Sequence, residues 1–257
     1  MMKEYYTFED EPCRHTDSCL GAKLMRLAPI TNRQEELLSR LESEESDIVS
    51  GSVLLKEGAP ADELIILKSG WVTSGKTAVN GSTSISQIHH PGDVVGFENL
   101  AFSRVKNTCV AESPLRACRI STAQLNQVFE ESPRISALLL ALSAVEQAIM
   151  SDRVMIARRT DSEMRLALFL LQTLSRLSLM NSSIYDQFHC PLTQQQIGDA
   201  TGLTGVHVSR TLKKLEDRGY IRKSRQFIQI MDEKSLADMV EFVDRYQDLD
   251  LSWLPES

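Results

Sequence analysis

The stretch from Leu192 to Leu215, LTQQQIGDATGLTGVHVSRTLKKL, constrains this chain more than any other. Thr193 followed three residues later by Gln196 is a capping box that starts a short helix. Gly202 permits a sharp turn, and Thr204 can cap a second helix. Ile197, Ala200, Leu203, Val208, Leu212 and Leu215 supply an apolar interior between the two. His207, Ser209, Arg210, Lys213 and Lys214 then fall on an outer, polar face. A short helix bracing a second one with such a face is a shape that fits the DNA major groove.

Charge supports that expectation locally and opposes it globally. The chain of 257 residues carries a formal net charge of −7. Between Pro191 and Met231, however, seven cations face three anions, so this segment is +4 and the remainder −11. A basic module on an acidic body is the footprint of a protein that touches phosphate with one part only. The cations include Lys223 and Arg225, in Gly219-Tyr-Ile-Arg-Lys-Ser-Arg-Gln-Phe-Ile-Gln-Ile, which reads as two short strands with a basic turn, a wing.

Upstream the texture differs. From Asp47 to Ser121, short β-type runs (Ile48–Leu55, Leu64–Lys68, Trp71–Ser74, Ser84–Ile88, Val94–Gly96, Thr108–Ala111, Leu115–Ile120) alternate with Gly- and Pro-rich turns. That spacing describes a sandwich or jelly-roll barrel. The expected fold is therefore α+β. It comprises an irregular N-terminal extension over 1–30, a β-barrel over 31–131 and a long helix over 132–158. A winged helix-turn-helix over 159–231 and a last helix and tail over 232–257 follow. Arg158-Arg-Thr-Asp161 reads as a hinge.

Within the long helix, which opens at Ser132-Pro133, Ile135, Leu138, Leu142, Val145 and Ile149 recur at steps of three and four, with Asp152 and Ile156 next in line. That is a heptad seam, and it predicts packing against a second copy. The start, MMKEYYTFED, is acidic and has no apolar segment, so no secretory signal is expected. The Ile135–Val145 run is too short to span a bilayer; a cytoplasmic location follows. Five cysteines (Cys13, Cys19, Cys109, Cys118, Cys190) then read as thiols, sensors or metal ligands in place of structural bridges. No nucleophile–base set, phosphate-cradling loop or paired carboxylate motif marks an enzyme, and no catalytic residue is assigned.

Together the barrel, the seam helix and the winged helix-turn-helix resemble the CRP/FNR family of bacterial transcription regulators. The resemblance covers nearly the whole chain. It is carried by Leu192–Arg218 and by the phrases Glu57-Gly58, Leu67-Lys-Ser-Gly70 and Pro91-Gly-Asp-Val-Val-Gly96. It implies a homodimer on a two-fold symmetric double-stranded operator, RNA polymerase as a partner, and a sensing site in the barrel. Arg210 suits a bidentate contact to guanine, and Ser209 and His207 can reach base edges or phosphates. Lys213, Lys214, Lys223 and Arg225 suit phosphates. Thr193, Gln194, Gln195, Thr204 and Val206 complete the expected DNA face; Val206 stands where the best-known members carry a base-reading Glu.

The sensing site departs from the family pattern. Cyclic-nucleotide members surround the phosphate with a Gly-Glu pair and a later Arg followed by Ser or Thr. Here Phe97 stands between Gly96 and Glu98, and Arg104 is followed by Val105. Oxygen-sensing members hold an iron–sulfur cluster; Cys13, Cys19 and Cys118, with His15 as a fourth ligand, are the residues this chain offers. A thiol-redox sensor without metal is the other option. The competing function is a ligand- or redox-sensing protein whose helical end contacts another protein instead of DNA.

Overall fold

The computed structural model describes residues 18–79, 81–158 and 161–256. Cys13, His15 and the centre of the Arg158–Asp161 segment lie outside them. The fold is α+β. Strands β1 (Glu45–Ile48), β2 (Val53–Leu55), β3 (Glu63–Ser69), β4 (Val72–Thr77), β5 (Thr83–His89), β6 (Val94–Val95), β7 (Thr108–Ala111) and β8 (Leu115–Ser121) make the barrel. They form two antiparallel sheets, in the orders β1-β8-β3-β6 and β2-β7-β4-β5. The single run expected over Ile48–Leu55 is two strands, broken by a turn at Val49–Ser52.

The β3 sequence ELIILKS holds an unbroken apolar run, Leu64–Leu67, because both faces of the strand are covered there and successive side chains point opposite ways. Ile65 and Leu67 enter the barrel interior with Val72, Val95 and Leu115. Leu64 and Ile66 face outward onto a helical layer containing Leu20, Leu24 and Leu38. That layer is α1 (Cys19–Leu27), α2 (Asn32–Leu41), α3 (Thr122–Glu131) and the start of α4 (Pro133–Ala157). The presence of α1 corrects the expectation of an irregular segment over 1–30. Ser18 caps it, and buried Glu42 accepts from the Cys19 and Leu20 amides at 2.8 and 3.0 Å.

The expected self-association seam on α4 is also corrected. Ile135, Leu138, Leu142, Val145, Ile149 and Ile156 are all buried in the chain's own core. Asp152 is held in two hydrogen bonds by Arg245, at 2.9 and 2.8 Å. The physical reason is that steps of three and four mark any straight helix face that is covered, whether by a partner or by the same chain. A second stripe, Leu140, Ala144, Gln147, Ser151 and Val154, has the same spacing and is exposed. Having both stripes, α4 is long and apolar enough to cross a membrane by length and composition, with a mean hydropathy of 1.4, contrary to the expectation from Ile135–Val145 alone.

The C-terminal half holds α5 (Ser162–Met180), β9 (Gln187–His189), α6 (Gln194–Thr201), α7 (Gly205–Asp217), β10 (Ile221–Ser224), β11 (Phe227–Ile230) and α8 (Glu233–Val240). Its core merges with the barrel: Leu166, Phe169, Ile197 and Leu212 share one apolar cluster with Trp71, Ile85 and Ile88. After α8 the chain runs back along α4. Tyr246 packs on Leu142, Val145 and Ile149, and its hydroxyl donates to Glu146 at 2.9 Å. Leu251 and Leu254 reach the helical layer beside the barrel.

Candidate nucleic-acid interface

The two helices of the motif form as their caps dictate. Thr193 Oγ1 accepts from the Gln196 amide at 3.2 Å, and the Gln196 side chain accepts from the Thr193 amide at 2.8 Å. Gly202 ends α6 in the left-handed region, at φ +70°. A Cβ on Gly198 would stand 2.4 Å from the Leu203 carbonyl oxygen, so the turn closes only over a glycine. Thr204 Oγ1 accepts from the His207 amide at 3.2 Å and starts α7. Ile197, Val208, Leu212 and Leu215 are buried between α5, α6 and the sheet β10-β11-β9.

This packing leaves the expected face in solvent. Thr193, Gln195, Thr204, Val206, His207, Ser209, Arg210, Lys213, Lys214 and Arg225 are exposed, and Gln194 and Lys223 are half-buried. Gln194, Gln195, Gly205, Val206, Ser209 and Arg210 line one concave surface between the starts of α6 and α7. Among the described residues Arg210 and Lys214 form no ion pair. Lys213 does: its ammonium lies 2.9 Å from Asp217 and 3.5 Å from Glu216, and the Asp217 hydrogen bond and charge hold it above its usual range. Arg225 sits, exposed, in the two-residue turn between β10 and β11 with φ +54°, the left-handed conformation that such a tight hairpin turn uses.

Three contacts set the pose of this module, and sequence reasoning missed all of them. Gln196 Nε2 donates to Glu112, in the β7–β8 turn, so the first helix of the motif is tied to the barrel. Arg165 on α5 donates to the Gly202 carbonyl at 3.1 Å and to the Ala157 carbonyl at 2.7 Å, joining the motif's turn to the end of α4. Arg176, further along α5, pairs with Asp93 of the barrel at 3.1 Å and Glu146 of α4 at 2.9 Å. The partners lie 84, 37 and 83 residues apart for Gln196–Glu112, Arg165–Gly202 and Arg176–Asp93, and no local signal announces them.

The expected effector residues are only partly brought together. Gly96 caps a short 3-10 turn, Phe97–Ala101. Phe97 and Glu98 line a cavity of about 420 Å³ between that turn, β5 and α4. Arg104 does not reach it. It follows the turn in an extended bridge with Pro60, is exposed, and donates to the Gly58 carbonyl at 2.7 Å. The cations on the cavity wall, Lys23 and Arg176, are both paired with Asp93. These residues do not fit a cyclic phosphate, which needs an uncommitted guanidinium.

The described part of the sulfur set does not fit a metal cluster either. Cys19 is fully buried and disulfide-bonded, which also corrects the expectation of free thiols at that position. Cys118, buried on β8, donates to the Glu42 carbonyl at 3.3 Å. Burial pushes its thiol up to about 11, and a thiol kept protonated is a poor ligand. Among the described residues no group of three or more His, Cys, Asp or Glu converges.

A helix-turn-helix with a basic, exposed second helix and a two-stranded wing, set on a two-sheet barrel, defines a DNA-binding transcription regulator. Residues 164–239 match the Crp-like helix-turn-helix domain, and residues 47–132 match the cyclic nucleotide-binding domain. The chain belongs to the CRP/FNR family. It is 25% identical over 227 residues to the anaerobic regulatory protein of Haemophilus influenzae, covering 88% of this chain and 87% of that one. To the electron transport regulator A of Shewanella oneidensis it is 27% identical over 212 residues, 81% of this chain and 84% of the other. The solved structure of FixK2 from Bradyrhizobium japonicum shares the fold, with a TM-score of 0.69 at 24% identity over 76% of this chain and 96% of that one.

Proposed function

We propose that this regulator acts in the cytoplasm as a homodimer on a two-fold symmetric operator. Two α7 helices would enter successive major grooves about 34 Å apart. The observation that carries the assignment of contacts is the exposed α7 face on which Arg210 and Lys214 have no ionic partner among the described residues. Arg210 reads a base edge, His207, Ser209 and Val206 flank it, and Thr193, Gln194, Gln195 and Thr204 approach the backbone at the helix starts. Lys214, Lys223 and Arg225 neutralise phosphates; Lys213 does so in competition with Asp217. The exposed α4 stripe of Leu140, Ala144, Gln147, Ser151 and Val154 joins the two copies, in place of the buried seam. RNA polymerase is the partner at the promoter, and the protein performs no catalytic step. The Gln196–Glu112 and Arg176–Asp93 contacts support control of DNA affinity from the barrel.

The test is selection of a binding site from random duplexes, followed by titration against salt. A steep fall of affinity, with a log–log slope of about −0.9 per neutralised phosphate, is expected. Arg210→Ala relaxes the preference at one base step and costs about 1–3 kcal/mol there, while Lys214→Ala weakens all sequences alike. No retention on any duplex at low salt overturns the reading and favours a protein partner for the helical end.

A further inference from the structure

A second cavity, of about 530 Å³, lies between the barrel and the winged module. Turns of the barrel make one wall, with Trp71, Pro91 and Pro114; the end of α5 and the sheet β10-β11-β9 make the other, with Met180, Phe188 and Phe227. The volume is that of a small-molecule site, and walls of aromatic rings and prolines with a few polar groups are its usual lining. One of those polar groups stands out. His90 is 3% exposed, and among the described residues neither of its ring nitrogens has a hydrogen-bond partner. Its ring meets Trp71 edge-on, with centroids 4.4 Å apart. Burial, reinforced by the charge of Arg176, keeps it neutral, so it has one donor and one acceptor unspent. Buried polar groups are as a rule paired, and an orphan beside a cavity calls for a partner from outside the chain.

We propose that this cleft binds a flat, largely apolar aromatic molecule of two-ring size whose single hydrogen-bonding group pairs with His90, and that its occupancy changes DNA affinity. The second part rests on the DNA-binding reading above. It follows from Glu112, which lines the same cleft and accepts from Gln196 at the start of α6. A molecule there lies against the contact that poses the recognition helix, and against Gln226 and Phe227 where the wing turn enters β11. The two walls belong to different modules, so the ligand stabilises whichever pose keeps them together.

The probe is 2-naphthol, a bicyclic ring with one hydroxyl, titrated by calorimetry into the full chain. One saturable site per chain is expected. Replacing His90 with Phe keeps a ring and removes the hydrogen bond, and weakens binding about tenfold or more. Gln187→Trp fills the cleft from an exposed position on β9; it abolishes binding and leaves the unfolding midpoint in place, so the proposal stays testable even where His90→Phe does not fold. At saturation the anisotropy of a labelled duplex shifts to report an affinity change of about fivefold or more, the low end of an allosteric coupling. Absence of saturable binding, or binding that survives Gln187→Trp, overturns the site, and neither outcome depends on whether the protein binds DNA. An unchanged duplex affinity at saturation overturns the control.

Discussion

Arg176 and Asp93 meet at 3.1 Å, 83 residues apart, and their ion pair is the electrostatic joint between the DNA-binding module and the barrel. Lys23 of α1 shares Asp93, and Glu146 of α4 shares Arg176. Each of these four side chains comes from a different part of the chain. Burial opposes the Arg176 charge, but Glu146, Tyr246 and Asp93 overcome it, so the guanidinium stays ionised.

Removing that guanidinium leaves two carboxylates short of a partner in a dry site. Arg176→Met is expected to cost about 3–5 kcal/mol, the usual result of breaking a buried pair from one side. Urea unfolding checks it. A loss below about 1 kcal/mol, the level of a surface pair, removes Arg176 from the role of a joint.

The same site predicts an acid transition. Burial works to raise the Asp93 carboxyl, but Lys23 and Arg176 outweigh it and hold it well below the usual carboxylate range. A carboxylate depressed in the folded state contributes stability that is complete above its unfolded value, about 3.9, and is lost as pH falls toward the folded one. Urea midpoints at pH 7 and pH 3 are expected to differ, and by less in Asp93→Asn. An equal difference in both proteins places the acid sensitivity elsewhere.

Gly198→Ala is expected to disable the reading head. The added methyl meets the Leu203 carbonyl at 2.4 Å, and backbone cannot step aside as a side chain can. The strain amounts to about 1–3 kcal/mol, concentrated in the turn that poses α7. Duplex affinity falls, while circular dichroism shows the barrel intact.

The exposed stripe on α4 makes a prediction about assembly. Leu140, 63% exposed in the single chain, should be covered when two copies pair. Leu140→Glu and Val154→Glu each shift the protein toward monomer in sedimentation. The change Leu142→Glu, on the buried side, impairs folding instead. If the exposed-stripe variants remain dimeric, pairing uses another surface.

Cys109, Cys118 and Cys190 are predicted to be inert. Burial pushes their thiols up to about 12, 11 and 11. Iodoacetamide at pH 8 should leave them unlabelled in the folded protein and label them in urea. Because these acids are weaker folded than unfolded, their contribution is complete below about pH 8.5 and lost as pH rises through the folded values. Rapid labelling of native Cys118 revives the thiol sensor.

The motif around Gly202 was legible because its determinants are local: two caps, a turn glycine and a run of exposed cations within some 25 residues. The barrel strands were legible for the same reason, since β turns punctuate them. What escaped was placement. Leu142 and Leu140 obey one spacing rule on opposite faces of α4, and only tertiary structure says which is covered by the same chain. Ser18 and the spacing of Leu20, Leu24 and Leu27 do signal α1, but the helix is only nine residues long and draws its stability from packing on the barrel, which local pattern does not carry. Arg104 follows the Gly96–Glu98 phrase in sequence, but in space it is spent on the Gly58 carbonyl and does not line the cavity. The contacts of Glu112 with Gln196 and of Arg176 with Asp93 are long-range, and nothing within reach of either residue encodes them.

Arg134, near the first turn of α4, donates to the Pro29 carbonyl at 3.2 Å and to the Pro255 carbonyl at 2.5 Å. One guanidinium thus clasps the segments that lead toward both chain ends. The tail that carries Leu251 and Leu254 is thereby moored at the foot of the long helix, and Arg134→Ala is expected to loosen it from the helical layer without touching the face that carries Arg210.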